Sequence, residues 1–156
     1  MYSLLFVYLT ILYIIAFSVS GKKLNVFENL FIFMVLEFLI TSFSAILYVN
    51  LQVWDITGSL ELFFVYRLYE VIVLPLLYLT YFNLLAAIRG RLWKVMFTFF
   101  SIAVIYGTEL LLVKGEIIAY RDWSFWQSLI VISLVLFSTY ILYRWFRRVL
   151  RKEGIG

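Results

Sequence analysis

The sequence predicts an all-α, polytopic membrane protein: a bundle of five transmembrane helices with the N-terminus outside and the C-terminus inside. Of its 156 residues, 65% are hydrophobic, and the mean hydropathy is +1.03. Soluble domains are only about 45–50% apolar. The apolar residues fall into five runs, each near or above the roughly 18 residues that a spanning helix needs. Basic residues collect between alternate runs, as the positive-inside rule expects of cytoplasmic segments.

The first span is predicted at residues 2–20. A secretory signal peptide has positive charge before its apolar part, whereas here Lys22 and Lys23 follow the run. This order favours an uncleaved helix that begins outside the membrane and ends inside it.

The second span is predicted at residues 27–50, with Glu37 near its middle. Glu37, Thr41 and Ser44 recur at three- and four-residue spacing and therefore share one helix face. Small polar residues on one side of a span are typical of close helix packing in lipid. Packing at a helix interface is therefore favoured for Thr41 and Ser44 over ligand binding.

The third span, predicted at residues 61–88, carries Arg67, Glu70 and Pro75. A charged side chain near the bilayer centre costs about 2.5–3.5 kcal/mol. We therefore expect Arg67 and Glu70, which share a helix face, to face protein, a partner charge or water. Pro75 lacks an amide proton and frees the carbonyl of Val71, so a helix kink is predicted there.

The fourth and fifth spans are predicted at residues 93–113 and 124–143. The basic turn at residues 89–94 is expected in the cytoplasm, which places Glu109 about one turn beneath the outer boundary. Residues 114–127 mix balanced charge with aromatic side chains. This mixture is typical of a segment that lies in the outer interface.

The tail, residues 144–156, is expected to extend the last helix on the cytoplasmic side. Its basic residues are candidates for binding anionic headgroups, at about 1 kcal/mol each: Arg144, Arg147, Arg148, Arg151 and Lys152. The same charge could act only as a topology signal. Lys and Arg number two, three and five on the predicted inner segments, against zero and two on the outer segments 51–61 and 114–127. This count agrees with five alternating spans.

Four side chains within the predicted spans are candidate functional residues: Glu37, Arg67, Glu70 and Glu109. At about 1.5 Å per helical residue, Glu37 lies near the midplane and the other three lie in the outer half. In a structural interpretation, Arg67 pairs with Glu70 or Glu109 and locks spans three and four together. In a functional interpretation, the four form a polar site or a proton or ion path.

The residue types restrict the chemistry. The chain has no cysteine and no histidine, which excludes disulfides, thiolate nucleophiles, Cys/His zinc sites and Ser-His pairs. No closely spaced metal-ligand motif is visible, so we expect no metal, no other cofactor and no enzymatic activity.

The favoured function is that of a small subunit or accessory factor of a membrane process. Conduction of protons, ions or small solutes through the buried Glu and Arg residues is the alternative. Membrane lipids are the expected partners, together with another membrane protein or further copies of the chain. Nucleic acid is not expected, because most of the basic residues flank apolar runs.

From the third span onward, scattered residues resemble a pattern in a family of small integral membrane proteins from endospore-forming Firmicutes. They are PLLYLTYFN at residues 75–83, Glu109, IAYRDW at residues 118–123, Ser128 and the RWFRR of the tail. The likeness covers roughly residues 35–152, and spans one and two match only in length and hydrophobicity. The family is uncharacterised. The resemblance implies a five-span fold in a bacterial cell membrane or spore membrane, and it implies no activity, cofactor or catalytic residue.

Overall fold

The computed structural model describes residues 2–56 and 58–154, which form a helical bundle with one short β-ribbon. The helices are α1 (Tyr2–Val19), α2 (Val26–Ala45), α3 (Leu60–Leu68), α4 (Leu74–Ala87), α5 (Arg91–Lys114) and α6 (Phe125–Lys152). Helix α2 continues into a π-helical turn at Ile46–Asn50, and a second π-helical turn at Tyr69–Val73 joins α3 to α4. The ribbon consists of β1 (Trp54–Ile56) and β2 (Ile118–Tyr120).

Among the described residues, four continuous helical stretches are long and apolar enough to cross a membrane: Val26–Asn50, Leu60–Ala87, Arg91–Lys114 and Phe125–Lys152. Their mean hydropathies lie between 1.8 and 2.3. Each predicted run from the second onward falls on one of these stretches. The chain is therefore a helical membrane bundle with four candidate spans. In α1, the apolar stretch Phe6–Val19 is shorter than the other four, so a fifth span stays a prediction.

The third span is interrupted by a π-helical turn, Tyr69–Val73, that ends two residues before Pro75. The amide of Leu74 bonds the carbonyl of Tyr69, five residues back. Because Pro75 has no amide proton, it cannot continue the hydrogen-bond ladder, and the wider turn accommodates this gap. The sequence marks the place of the irregularity, whereas its form is a π-helical turn that contains Glu70. Such turns are frequent at functional sites.

Two clusters of buried apolar side chains hold the helices together. The larger cluster joins α2, α4, α5 and α6 through residues such as Leu36, Ile40, Tyr78, Ile105 and Ile132. The smaller cluster surrounds Val65, Tyr69, Leu112 and Ile118 next to the ribbon. In lipid, helices associate through close packing and interhelical hydrogen bonds rather than through the hydrophobic effect. Helix α2 lies at the centre of this packing, against both α4 and α6.

The ribbon corrects the purely helical expectation, because the sequence predicts no strand in segments 51–61 and 114–127. The two strands pair antiparallel in the register Trp54–Tyr120, Asp55–Ala119 and Ile56–Ile118. Beyond the strands, the Arg121 amide donates to the Val53 carbonyl at 3.0 Å, and Arg121 Nε lies 2.5 Å from Asp55 Oδ2. Strands of three residues are too short to show a period-two pattern. The ribbon ties the segment before α3 to the segment before α6.

The opposite end of the bundle is closed by Asn83 of α4, which is buried. Its Oδ1 accepts hydrogen bonds from the backbone amides of Lys23, at 3.1 Å, and Leu24, at 3.2 Å. Its Nδ2 donates to Asn29 Oδ1 at 2.6 Å. One side chain therefore fastens α4 to the α1–α2 connection and to α2.

Candidate functional site

The first candidate site is a small, partly open cavity between α2, the third span, α5, α6 and the ribbon, with a volume of about 70 Å³. We call it the carboxylate cavity, because both Glu70 and Glu109 line it. Its other polar or aromatic lining residues are Phe43, Ser44, Trp54, Tyr66, Tyr69 and Tyr78. A cavity needs about 10–15 Å³ to hold one water molecule, whereas typical ligand pockets are about 300–1,000 Å³. Its size therefore suits a few water molecules or a small ion.

Glu70 brings an incompletely satisfied carboxylate to this cavity. Its side chain is 3% exposed, and Oε2 lies 2.5 Å from Arg67 Nη1. Its Oε1 is buried and, within the described part of the chain, has no hydrogen-bond partner. The Trp54 indole Nε1 is likewise buried without an acceptor among the described residues. Among the described residues, the Glu70 Oε1 acceptor and the Trp54 Nε1 donor are thus two groups of the cavity lining that have no hydrogen-bond partner.

Arg67 pairs with Glu70, one of the two partners that the structural interpretation named, but the structure corrects the role expected of this pair. Glu70 lies on the same helical stretch as Arg67, so this ion pair does not join spans three and four. The Arg67 side chain is 48% exposed, and its guanidinium lies 5.2 Å from the centre of the Phe63 ring. A long arginine stem can carry its charge away from the position of its Cα. The pair therefore reaches from the bundle interior to its surface rather than being enclosed between helices.

Glu109 is held by hydroxyl groups rather than by an arginine. Its Oε1 accepts hydrogen bonds from Tyr120 of β2 and from Ser128 of α6, the latter at 2.6 Å. Trp123 Nε1 donates to Ser128 Oγ at 2.7 Å and so fixes that hydroxyl. Burial, reinforced by Glu109, raises the pKa of Tyr120 above its ordinary value. Tyr120 therefore stays protonated and able to donate.

These partners of Glu109 were not predicted. Tyr120, Trp123 and Ser128 belong to the residues that carry the family resemblance, which assigns them no role. The sequence does contain one signal for these contacts: hydrogen-bond donors lie at the predicted outer end of the fifth span, and Glu109 is expected at a similar depth. Residue spacing within one helix cannot reveal such a contact between segments.

Glu37 lies apart from the carboxylate cavity. It is half-buried on α2, and its buried Oε1 has no hydrogen-bond partner among the residues that the structure describes. Of the two residues predicted to pack at a helix interface, Ser44 bonds the Tyr66 hydroxyl across helices. Thr41 does not follow this prediction, because it is exposed and its hydroxyl bonds the Glu37 carbonyl of its own helix at 2.7 Å.

The second candidate site is a pocket of about 360 Å³ at the opposite end of the bundle. We call it the basic pocket, because five positive side chains line it: Lys94, Arg144, Arg147, Arg148 and Arg151. Phe82, Leu85, Ala86, Tyr140 and Tyr143 complete its walls. Four of the five predicted headgroup-binding candidates therefore converge. Lys152 is not among the lining residues, and Lys94 of α5 joins the set instead.

A buried acid holds one wall of the basic pocket. Glu28, at the start of α2, is 6% exposed in its side chain, and its Oε1 lies 3.1 Å from Arg147 Nε. Its Oε2 accepts a hydrogen bond from the Asn25 amide at 3.0 Å. Arg147 Nη1 also donates to the Tyr143 hydroxyl at 3.0 Å. These contacts attach the basic end of α6 to α2 and offset one positive charge of the pocket.

Known metal-site chemistry and known proteins offer no direct guide to function. Within residues 2–56 and 58–154, no three His, Cys, Asp or Glu side chains come together as metal ligands. The chain matches no protein-family model, no curated protein and no solved structure. The resemblance to the family from endospore-forming Firmicutes therefore stays a prediction.

Proposed function

We propose that the protein is a non-enzymatic membrane component, a small subunit or accessory factor of a bacterial membrane process. The observation that supports this function is that the buried acidic and amide side chains of the described residues, Glu28, Glu70, Asn83 and Glu109, lie in two groups. One group surrounds Glu70 and Glu109 near the ribbon, and the other surrounds Asn83 and the basic pocket. Between them most buried side chains are apolar, among them Leu36, Ile40, Ile105, Ile132 and Val135, and the half-buried Glu37 of α2 lies in the same part of the bundle.

The polar contacts of each group connect different segments of the chain. Glu109 is bonded from β2 and α6, Asn83 connects α4 to α2, and Glu28 joins α2 to α6. Buried polar networks of this kind fix one arrangement of the helices. A bundle whose two ends are fixed in this way suits a component that acts through association with other membrane molecules.

The test is association in the native membrane. The tagged full-length chain is cross-linked in its membrane, extracted in mild detergent, and weighed by native mass spectrometry. We expect either a stoichiometric complex with one membrane protein, recovered also when that protein is tagged, or a homo-oligomer of defined size. A chain that stays monomeric with and without cross-linking would contradict the accessory role.

Conduction is the second candidate function, and Glu37 is the observation that favours it. Its Oε1 is buried and lacks a hydrogen-bond partner within the described residues, and the residue lies near the predicted midplane. Glu70 Oε1 is likewise buried without a partner among those residues. Carboxylates of this kind mark proton and ion paths in many transporters.

Proteoliposome flux separates the two functions. Proteoliposomes are tested for uptake of protons or monovalent cations down an imposed gradient. Uptake that is lost in Glu37→Gln but kept in Glu153→Gln, a control at an exposed position, would favour conduction. If vesicles with the wild-type protein show no more flux than empty vesicles in a proton gradient or a monovalent-cation gradient, the result favours the accessory role.

We further propose that α1 is a fifth span, with the N-terminus outside, the C-terminus inside, and the bundle in the bacterial cell membrane. The family resemblance adds the spore membrane as a second location. Packing supports the fifth span: α1 contacts α3 and α4, and the Tyr13 hydroxyl hydrogen-bonds Thr80 Oγ1 at 2.8 Å. The distribution of Lys and Arg supports the orientation.

A further inference from the structure

The basic pocket continues into an apolar groove between α5 and α6. This groove has a volume of about 750 Å³, and Leu85, Lys94 and Tyr140 line both it and the basic pocket. Its lining includes large exposed apolar side chains, among them Ile130 at 57% and Phe137 at 63% exposure. The groove therefore lies open along the side of the bundle, where lipid chains surround a membrane protein.

One face of α6 runs through both parts of this surface. Residues at three- and four-residue spacing share a helix face, and here they are Trp126, Ile130, Ser133, Phe137, Tyr140, Arg144, Arg148 and Arg151. The part from Trp126 to Tyr140 is mainly apolar and is about 21 Å long at 1.5 Å per residue. One leaflet of a hydrocarbon core is about 15 Å thick. The groove is long enough to accommodate an acyl chain, and the basic part lies at its end.

We propose that this surface binds an acidic glycerophospholipid, with its phosphate in the basic pocket and one acyl chain along the α5–α6 groove. The proposal goes beyond the accessory role and does not depend on it, although placing the lipid in the cytoplasmic leaflet rests on the proposed orientation. Basic pockets between transmembrane helices on this side bind anionic lipid headgroups. The apolar groove assigns the anion to a lipid rather than to a soluble phosphate.

The basic pocket is arranged to receive phosphate oxygens. The Arg144 guanidinium lies 5.7 Å from the Tyr140 ring centre, and that of Arg147 lies 5.9 Å from the Tyr143 ring centre. Aromatic support limits the freedom of these side chains, and the planar guanidinium can bond two phosphate oxygens at once. Because Glu28 offsets only one of five positive charges, a lipid with two phosphates should bind more tightly than one with a single phosphate.

The first test compares two neighbouring charges of the tail. Lipid binding to the purified full-length chain is measured by native mass spectrometry with cardiolipin, phosphatidylglycerol and phosphatidylcholine. Arg148→Gln removes a charge that lines the basic pocket, and Lys152→Gln removes a charge that does not. We expect affinity in the order cardiolipin, phosphatidylglycerol, phosphatidylcholine. We expect Arg148→Gln to weaken cardiolipin binding about fivefold and Lys152→Gln, which removes a charge outside the basic pocket, to weaken it less.

The second test addresses the groove. Ser133→Trp introduces a bulky side chain at an exposed groove position without touching the basic pocket. We expect this variant to weaken binding of long-chain phosphatidylglycerol while inorganic phosphate, measured separately, binds weakly and equally to variant and wild type. Thermal unfolding in detergent checks that each variant is folded, and Arg144→Gln replaces Arg148→Gln if the latter is not.

Four results would overturn the proposal. Equal affinity for acidic and neutral lipids would exclude headgroup recognition, and equal losses for Arg148→Gln and Lys152→Gln would indicate general surface charge. Inorganic phosphate that binds as tightly as long-chain lipid would indicate a free-anion site. A protein helix found in the groove by cross-linking from Ser133→Cys, with no lipid retained, would assign the surface to a protein partner.

Discussion

The two side chains of the Arg67–Glu70 ion pair are unequally buried, and this difference determines what each contributes to the free energy of unfolding. The Glu70 side chain is 3% exposed, whereas that of Arg67 is 48% exposed. If Arg67 is removed, a carboxylate is left in the interior with its Oε2 also unpartnered. If Glu70 is removed, the guanidinium can still turn toward the bundle surface. The two losses should therefore differ in free energy.

We predict that Arg67→Leu destabilises the protein more than Glu70→Leu does, by about 1–3 kcal/mol, the cost of leaving a buried acceptor unsatisfied. The double variant should lie close to Glu70→Leu alone. Unfolding midpoints in one detergent at fixed protein concentration measure the difference. Arg121→Leu is the control, because its pair with Asp55 is exposed on both sides and contributes about 0–1 kcal/mol. Equal losses for the two single variants would contradict the prediction.

The buried carboxylates show which side-chain positions can be predicted from the sequence and which contacts cannot. A carboxylate within an apolar run has few places to lie, so the interior positions of Glu70 and Glu109 follow from the sequence. The donors of Glu109 do not, because Tyr120 and Ser128 come from other segments of the chain. The convergence of the basic side chains was predictable only in part: spacing places the tail arginines on one face, but Lys94 reaches them through helix packing.

At the scale of helices and strands, the spans themselves follow closely from the sequence. The run predicted at residues 61–88 is a helical stretch at Leu60–Ala87, and the run at 93–113 lies within Arg91–Lys114. Apolar length is a strong signal. The ribbon and the two π-helical turns were not predicted, because three-residue strands and single-residue insertions leave no periodic trace.

The Asn83 side chain connects α4 to both the α1–α2 connection and α2. We predict that Asn83→Ala loosens α4 from the α1–α2 connection, since it leaves the amides of Lys23 and Leu24 without their acceptor. Each buried polar group left unpaired costs about 1–3 kcal/mol. Thermal unfolding in detergent reports the loss, and amide hydrogen exchange should rise at Lys23 and Leu24.

The matched control is Asn50→Ala, which removes an exposed asparagine at the end of α2's π-helical turn. Exposed substitutions away from such contacts usually stay within about 0.5 kcal/mol. If Asn83→Ala unfolds at the same temperature as Asn50→Ala, with unchanged exchange at both amides, Asn83 does not fasten the helices.

At the scale of the whole molecule, the two ends of the bundle carry different charged groups. The ribbon end closes over a small cavity with two carboxylates, and the other end presents a basic pocket that continues into a groove. If the four candidate spans cross the membrane in succession, the ribbon lies on one side. The α4–α5 connection and the basic tail then lie on the other side. Each end then meets a different compartment, and the proposed orientation assigns the basic end to the cytoplasm.

Single cysteines test this orientation, because the chain has none of its own. Gly21 precedes α2 and Gly58 precedes α3, and a Cβ added at either meets no atom within 4 Å. We predict that an impermeant maleimide labels Gly58→Cys in intact cells and labels Gly21→Cys only after permeabilisation. An epitope placed before α1 should be accessible from outside if α1 spans the membrane. Labelling of both cysteines from the same side would exclude the alternating arrangement, and an epitope found inside would leave four spans with α1 not crossing.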